Sequence, residues 1–173
     1  MPAHHVPDLP GRLAIPVEQF NAASEEDLEQ ALLSCLRSLR WARRVADHRP
    51  YPDLDSLLAA ADEAAYDLAW PDLTEALAAE HLPTLPPDTY SAAHTALSAA
   101  HAAYESRFGH VFVICLDGLS PSETLDRLLA AIRSRLTNDP EEERAVVADE
   151  LRRLASVRLV SALRGAGLQS TCG

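Results

Sequence analysis

Between two long alanine-rich helical patterns, the chain reads Arg107-Phe108-Gly109-His110-Val111-Phe112-Val113-Ile114-Cys115. The pattern before this stretch ends at Gly109, a residue that suits the left-handed conformation following a helix. The β-branched run after the glycine is short, and the sequence offers no second strand to pair with it. The stretch therefore predicts an extended linker between helices, whose backbone N–H groups can bind a small anionic or carbonyl ligand.

Helical periodicity continues on both sides of this linker. Apolar residues recur at intervals of three and four in segments predicted as helices at about 24–39, 41–45, 53–68, 71–80, 90–108, 120–136 and 140–163. We therefore predict an all-α fold, with one compact domain of about seven to nine helices over residues 17–164. Residues 1–16 are predicted to be a flexible leader and residues 165–173 a frayed tail.

The composition excludes several classes of function. The chain has 173 residues, of which 26 are acidic and 15 basic, and its net charge is −11. Every basic residue is arginine, which excludes Schiff-base lysine chemistry, a P-loop lysine and the catalytic lysine of kinases. The acidic balance, with arginines interleaved among carboxylates, argues against nucleic-acid binding.

The cysteines and the apolar runs give further bounds. Cys35, Cys115 and Cys172 are widely spaced and odd in number, which argues against a disulfide framework or a structural metal site. The sequence shows neither a secretion signal nor an apolar run long enough to cross a membrane. A cytoplasmic protein without membrane or nucleic-acid partners is expected.

A series of short fragments carries a resemblance that spans about residues 17 to 163. In order, they are Phe20-Asn21, Arg49-Pro50-Tyr51, Tyr104, Arg107 to Phe112, Arg135-Leu136, Asn138, Glu141 to Glu143, Glu150 and Arg158-Leu159. Together they resemble the OHCU decarboxylase family. OHCU is 2-oxo-4-hydroxy-4-carboxy-5-ureidoimidazoline, the last intermediate between urate and (S)-allantoin. The resemblance implies an all-α carboxy-lyase of purine metabolism that uses no cofactor, forms a homodimer and binds a small-molecule substrate.

The resemblance also implies a set of site residues. The family uses a histidine in a His-Pro motif, a Ser-x-x-Glu-Gln motif, backbone N–H groups of a Phe-Gly-x-x-Phe turn and an arginine near the C-terminus. The turn corresponds to Phe108, Gly109, His110, Val111 and Phe112, and the arginine to Arg158. Without a gap, Glu80 occupies the position of the histidine; a shift of one residue places His81 there.

The second motif differs from the family pattern as well, because His94 and Thr95 stand where the family has Glu and Gln. We therefore predict that Glu80, His81 and Arg158 are catalytic. Substrate contacts are expected from Arg158 and from Phe20, His94, Phe108, Gly109, His110, Val111, Phe112 and Ile114. Arg158 would hold the substrate carboxylate through its two-pronged guanidinium, and a histidine near neutral pKa suits proton transfer.

Other interpretations of these residues remain open. Arg158 can instead pair on the helix surface with Asp149 or Glu150. His94 and His101 lie seven residues apart on one helix face, where they could face a cleft or, with Glu80 or His81, hold a metal; we predict no metal site. The protein itself can be an OHCU decarboxylase, a diverged paralogue acting on another small carboxylated or cyclic substrate, or a non-catalytic binding subunit.

Overall fold

The computed structural model of the chain describes residues 17–83, 85 and 89–169, the last five of them as backbone only. Within this part there are eight α-helices and no strand. They are α1 (Val17–Ala22), α2 (Glu25–Cys35), α3 (Leu39–Asp47), α4 (Leu54–Tyr66), α5 (Trp70–Leu77), α6 (Ser91–Phe108), α7 (Pro121–Arg135) and α8 (Pro140–Gln169). The predicted all-α class and the predicted number of helices are confirmed.

Side-chain caps define where several helices begin. The Ser24 hydroxyl accepts a hydrogen bond from the Asp27 N–H (3.2 Å), and the Ser38 hydroxyl accepts one from Trp41 N–H (3.2 Å). The Asp53 carboxylate accepts one from Ser56 N–H (2.8 Å), and hydrogen bonding with the Ser56 side chain, followed by that with its backbone, lowers the pKa of Asp53. Each cap supplies a partner for an N–H group that has none within the first helical turn.

The structure differs from the predicted helices at three places. Helix α1 was not predicted, and α2 ends at Cys35 instead of Leu39, because Leu36 is extended and Ser38 caps the next helix. Helix α8 continues to Gln169, six residues beyond its predicted end and into the predicted tail. The predicted leader (1–16) and the end of the tail (170–173) lie outside the described residues.

The core consists of two apolar clusters. The larger one forms where α8 packs against α2 and α4, with α3 contacting both of those helices. The smaller one lies between α6 and α7 and includes Leu97, Tyr104, Leu128 and Ile132.

The linker predicted between α6 and α7 forms neither helix nor strand from residue 111 to 116. Val113 joins the larger cluster, whereas Phe112 and Ile114 join the smaller one. This alternation is the one expected of extended backbone, whose successive side chains point in opposite directions. The linker therefore connects the two halves of the core, and its backbone is held between them.

Arg49 attaches the short helix α1 to the rest of the domain. Its Nη1 donates to the Ala23 carbonyl (2.7 Å) and, at longer range, to the carbonyls of Phe20 (3.3 Å) and Asn21 (3.4 Å). The Asn21 side chain in turn donates to the Tyr51 carbonyl (2.9 Å) and accepts from the Tyr51 N–H (2.8 Å). The bonds from Arg49 supply partners for carbonyls at the end of α1 that have no N–H partner within the helix.

None of the helices in the described part of the chain combines the length and apolar character of a membrane-spanning helix.

Candidate functional site

A cavity of about 270 Å³ opens between the end of α5, the linker and α8, and we refer to it as the Arg158 cavity. Its polar side chains are concentrated at one end, where Glu80, His81 and Arg158 lie. The other lining residues are mainly apolar: Pro83, Phe112, Val113, Ile114, Cys115, Leu116, Asp117, Leu154 and Val157. A mostly apolar pocket with a few converging polar groups is typical of a small-molecule site.

Glu80 and Arg158 form a two-pronged ion pair in this cavity. Arg158 Nη1 donates to Glu80 Oε1 at 2.6 Å, and Arg158 Nη2 donates to Glu80 Oε2 at 2.9 Å. The Glu80 side chain is only 8% exposed, whereas that of Arg158 is 36% exposed. The hydrogen bonds to Glu80 raise the pKa of Arg158, so the guanidinium carries a full charge at any physiological pH.

The backbone of α2 also helps to orient Arg158. Arg158 Nη1 donates a second, longer hydrogen bond to the Cys35 carbonyl at the end of that helix (3.3 Å). Arg158 therefore does not pair with Asp149 or Glu150, the alternative left open by the sequence: Asp149 pairs with Arg152 (2.8 Å) and Glu150 with Arg153 (3.0 Å). The guanidinium instead points away from its own helix toward the cavity.

His81 lies beside the ion pair but is more accessible. It follows Glu80 in the short turn after α5, where the Glu80 N–H donates to the Leu77 carbonyl (3.1 Å). Its side chain is exposed to solvent and lines the same cavity. The ungapped and the shifted assignments of the family histidine therefore lead to two neighbouring residues, both at the site.

The linker forms another part of the wall of the Arg158 cavity. The Cys115 N–H donates to the Glu150 carboxylate (2.7 Å), and the Val113 carbonyl accepts from Arg135 Nη1 (2.6 Å). Among the residues that the structure describes, the N–H groups of Phe112, Val113 and Ile114 have no hydrogen-bond partner. The part of the linker that lines the cavity is thus held in position by one carboxylate and one guanidinium, and its role in ligand binding stays a prediction.

The structure brings together only some of the predicted substrate contacts. Phe112 and Ile114 line the Arg158 cavity. Gly109, His110 and Val111 line an adjoining cavity of about 340 Å³ that shares Glu80 with it. Phe108 packs on Tyr104, with 4.8 Å between ring centroids.

Two predicted contacts lie elsewhere. Phe20 lines a separate apolar groove between α1, α2 and the end of α8. His94 is exposed on α6 and lines none of these cavities. For the residues that line the cavity, the predicted site roles stay predictions. Phe20 and His94 do not line it.

Several residues that support the linker were not predicted as part of the site. Glu143, fully buried, accepts hydrogen bonds from Arg135 Nε (2.7 Å), Tyr104 Oη (2.5 Å) and Asn138 Nδ2 (3.0 Å). Burial, followed by the bond to Glu143, raises the pKa of Tyr104, so its hydroxyl stays protonated. Arg135, held in this way, is the residue that fixes the Val113 carbonyl.

The sequence contains a pattern that indicates the burial of Glu143. Glu141, Glu142 and Glu143 together suit the N-terminal turn of α8, and the first two are indeed exposed. Glu143, however, lies four residues before Val147 and eight before Leu151, both of which are buried. Its position on this apolar stripe indicates burial of a carboxylate, which requires a partner.

Within residues 17–83, 85 and 89–169, no group of three or more His, Cys, Asp or Glu side chains is arranged to hold a metal ion. His101 is buried, with its ring 5.8 Å from that of Phe112, and burial lowers its pKa. Cys35 is also buried, and burial raises the pKa of its thiol, so neither side chain is charged at neutral pH.

Comparison with known proteins gives a consistent result. The family model described as OHCU decarboxylase matches residues 21–85 and 84–160. A crystal structure of OHCU decarboxylase in the presence of (S)-allantoin aligns with a TM-score of 0.66 and 21% identity over 80% of this chain and 97% of that chain. A crystal structure of (S)-allantoin synthase aligns with a TM-score of 0.65 and 19% identity over 85% of this chain and 54% of that longer chain. No curated protein matches in sequence. At these identities the two structures establish the fold.

Proposed function

Because the chain belongs to the OHCU decarboxylase family, we propose that it is a carboxy-lyase that removes CO₂ from a small cyclic ureido-carboxylate, with the conversion of OHCU to (S)-allantoin as the reaction to test first. The observation that carries this proposal is the geometry of Arg158. Its guanidinium already holds a planar carboxylate, that of Glu80, at 2.6 and 2.9 Å beside an apolar cavity. A substrate carboxylate fits the same two donors.

The reaction makes three demands on the site. The carboxylate must be held, the electron pair left on carbon when CO₂ departs must be delocalised, and one proton must then reach that carbon. The unsaturated imidazoline ring of the substrate provides the delocalisation. The protein has to supply the other two functions, which need no cofactor.

Arg158 would hold the carboxylate, and Glu80 and His81 are the two groups positioned to move the proton. Leu154, Val157 and Ile114 line the cavity near them. Apolar walls disfavour the localised charge of a carboxylate more than the delocalised charge left on the ring when CO₂ departs, which favours the cleavage. The N–H groups of Phe112, Val113 and Ile114, which have no partner among the described residues, are suited to bind a ring carbonyl and to stabilise negative charge that develops on it.

The test is decarboxylation of freshly generated OHCU, followed by the circular-dichroism signal of (S)-allantoin. We expect (S)-allantoin to form faster than the racemic product of spontaneous decay. Replacing Arg158 by lysine keeps the charge but loses the two-pronged geometry, so we expect the rate to fall by about 100-fold or more. Arg44→Lys, which alters the exposed ion pair with Asp67 away from the cavity, is the matched control and should keep the full rate.

The two proton-transfer candidates can be separated by the same assay. If His81 moves the proton, His81→Asn loses most of the rate; if Glu80 does so, Glu80→Gln loses it and His81→Asn does not. A folded wild-type protein that does not accelerate the reaction would refute the proposed substrate.

A second function is favoured by two observations. The Glu80 carboxylate is bonded to the guanidinium of Arg158, and His94 is exposed to solvent. A diverged enzyme could use the Glu80 carboxylate to accept hydrogen bonds from the N–H groups of a different small cyclic substrate. Thermal stabilisation by uncharged cyclic ureides, lost in Glu80→Gln, would support this function. As the family resemblance implies, we also propose that the protein is a cytoplasmic homodimer. Analytical ultracentrifugation would measure its oligomeric state.

A further inference from the structure

The Glu80–Arg158 pair poses a problem for any ligand that binds through a carboxylate. Both Glu80 oxygens are bonded to the two terminal nitrogens of Arg158, in the arrangement that a ligand carboxylate would use. Two carboxylates cannot occupy these donors together, because their like charges would repel at contact distance. Glu80 is therefore a competitor of the ligand that is built into the chain.

We propose that a ligand carboxylate displaces the Glu80 carboxylate from Arg158, and that Glu80 takes up a proton from solution as it is released. This inference rests on the proposed role of Arg158 as the site for the ligand carboxylate. It adds a protonation event that is coupled to binding, before any chemical step.

The surroundings of Glu80 explain why it would take up a proton on release. Its side chain is 8% exposed, and within the described part of the chain Arg158 is the only side chain that donates to its oxygens. After displacement a buried carboxylate would have no compensating charge, which favours the neutral acid. The other charged or titratable groups on the three cavities that Glu80 lines are Arg37, His81, Glu105, His110, Cys115 and Asp117.

These neighbours do not replace Arg158. Arg37, His81, Glu105 and Asp117 are all exposed side chains, whose charges water screens. None of them supplies a buried positive charge in place of Arg158, so the burial of Glu80 is what favours its neutral acid after release.

The exchange would close a complete reaction cycle. The ligand binds as R–COO⁻ on Arg158 while Glu80 becomes the neutral acid. Cleavage of the C–C bond releases CO₂ and leaves its electron pair on the substrate carbon, which then takes the proton from Glu80 to give R–H. Glu80, ionised again, returns to Arg158, so that the net change is R–COO⁻ + H⁺ → R–H + CO₂.

Isothermal titration calorimetry tests the exchange without turnover. The probe is hydantoin-5-acetate, a cyclic ureide with one carboxylate, titrated near pH 7 in buffers of different ionisation enthalpy; hydantoin itself is the uncharged control. For the wild-type protein we expect uptake of about one proton per probe bound. For Glu80→Gln we expect no uptake and binding about 10-fold tighter or more, because the internal competitor has lost its charge.

A matched variant controls for the general loss of an acidic residue. Asp67→Asn removes the carboxylate of the Arg44–Asp67 ion pair (2.7 Å), which lines none of the cavities around Glu80. It should behave as the wild-type protein does.

The remaining outcomes would overturn the exchange. These are probe binding without proton uptake, weaker binding by Glu80→Gln, binding by Glu80→Gln alone, and binding by neither protein. The proposed function fails separately: uptake on binding of the probe, with no acceleration of OHCU decarboxylation, would leave the exchange intact and refute the substrate. Turnover of OHCU, with no proton taken up when the probe binds, would do the reverse.

Discussion

Replacing Glu143 by alanine should lower the free energy of unfolding by about 3–5 kcal/mol. The side chains of Glu143 and Arg135 are only 1% and 8% exposed, so solvent screening does little to reduce their interaction. The alanine variant would leave the Arg135 guanidinium buried with the Val113 carbonyl as its main remaining partner. The size of the effect comes from this uncompensated charge.

The individual contacts support the same magnitude. Glu143 accepts from a guanidinium at 2.7 Å, a hydroxyl at 2.5 Å and an amide at 3.0 Å. Hydrogen bonds to charged groups contribute roughly 1.5–3 kcal/mol each, but they are not additive when they share one acceptor group. A loss near 4 kcal/mol would be a large fraction of the roughly 5–15 kcal/mol typical of a domain.

Urea unfolding followed by far-ultraviolet circular dichroism measures the loss. Glu141→Ala, which removes an exposed carboxylate from the same helical turn, is the matched control and should cost less than about 1 kcal/mol. If Glu143→Ala does not fold, Glu143→Gln keeps the shape and still loses the charge, and it should be destabilised by an intermediate amount. A loss below about 1 kcal/mol in both variants would refute the view that this carboxylate holds the network together.

Three further changes test other parts of the structure. Burial lowers the pKa of His101, so below a pH of about 6.5 the unfolded chain binds a proton that the folded protein does not, and stability should fall as the pH falls. His101→Phe should remove that part of the pH dependence and raise stability near pH 6, because neither ring nitrogen of His101 has a partner among the described residues; an unchanged pH profile in urea titrations would contradict this. Asn21→Ala should cost about 1–3 kcal/mol in the same experiment, since it removes both hydrogen bonds to the Tyr51 backbone. Gly109→Ala should lower the free energy of unfolding by about 1 kcal/mol, and the midpoint of thermal unfolding with it, because φ is +77° there; an unchanged midpoint would show that the turn can readjust.

The fold could be predicted because its signals are local. Helix caps such as Ser24 and Asp53, the glycine after α6 and the apolar spacing of each helix all lie within a few residues of the structure that they specify. Helix α1 escaped prediction because six residues carry too little periodicity. Its stability comes from Arg49, almost thirty residues away in the sequence.

The site was harder to predict because its decisive contact is not local. Glu80 and Arg158 are 78 residues apart, and no pattern in the sequence indicates that one would occupy the donors of the other. His94 and His101 share one face of α6, so the helical period could not distinguish them. His94 lies in the first turn of α6 and is exposed, whereas His101 lies farther along the helix, between Leu97 and Tyr104 of the smaller cluster, and is buried.

The way α1 is attached also determines where the native protein opens first. A six-residue helix is far below the roughly 12–15 residues at which an isolated helix becomes even marginally stable, so α1 exists only while Arg49 and its few buried side chains hold it. Local opening of such a segment requires only a part of the global unfolding free energy. Amide hydrogens of α1 should therefore exchange with solvent well before those near Leu151 in the core helix, and the apolar groove that Phe20 shares with Leu159 would be exposed in that partly open state.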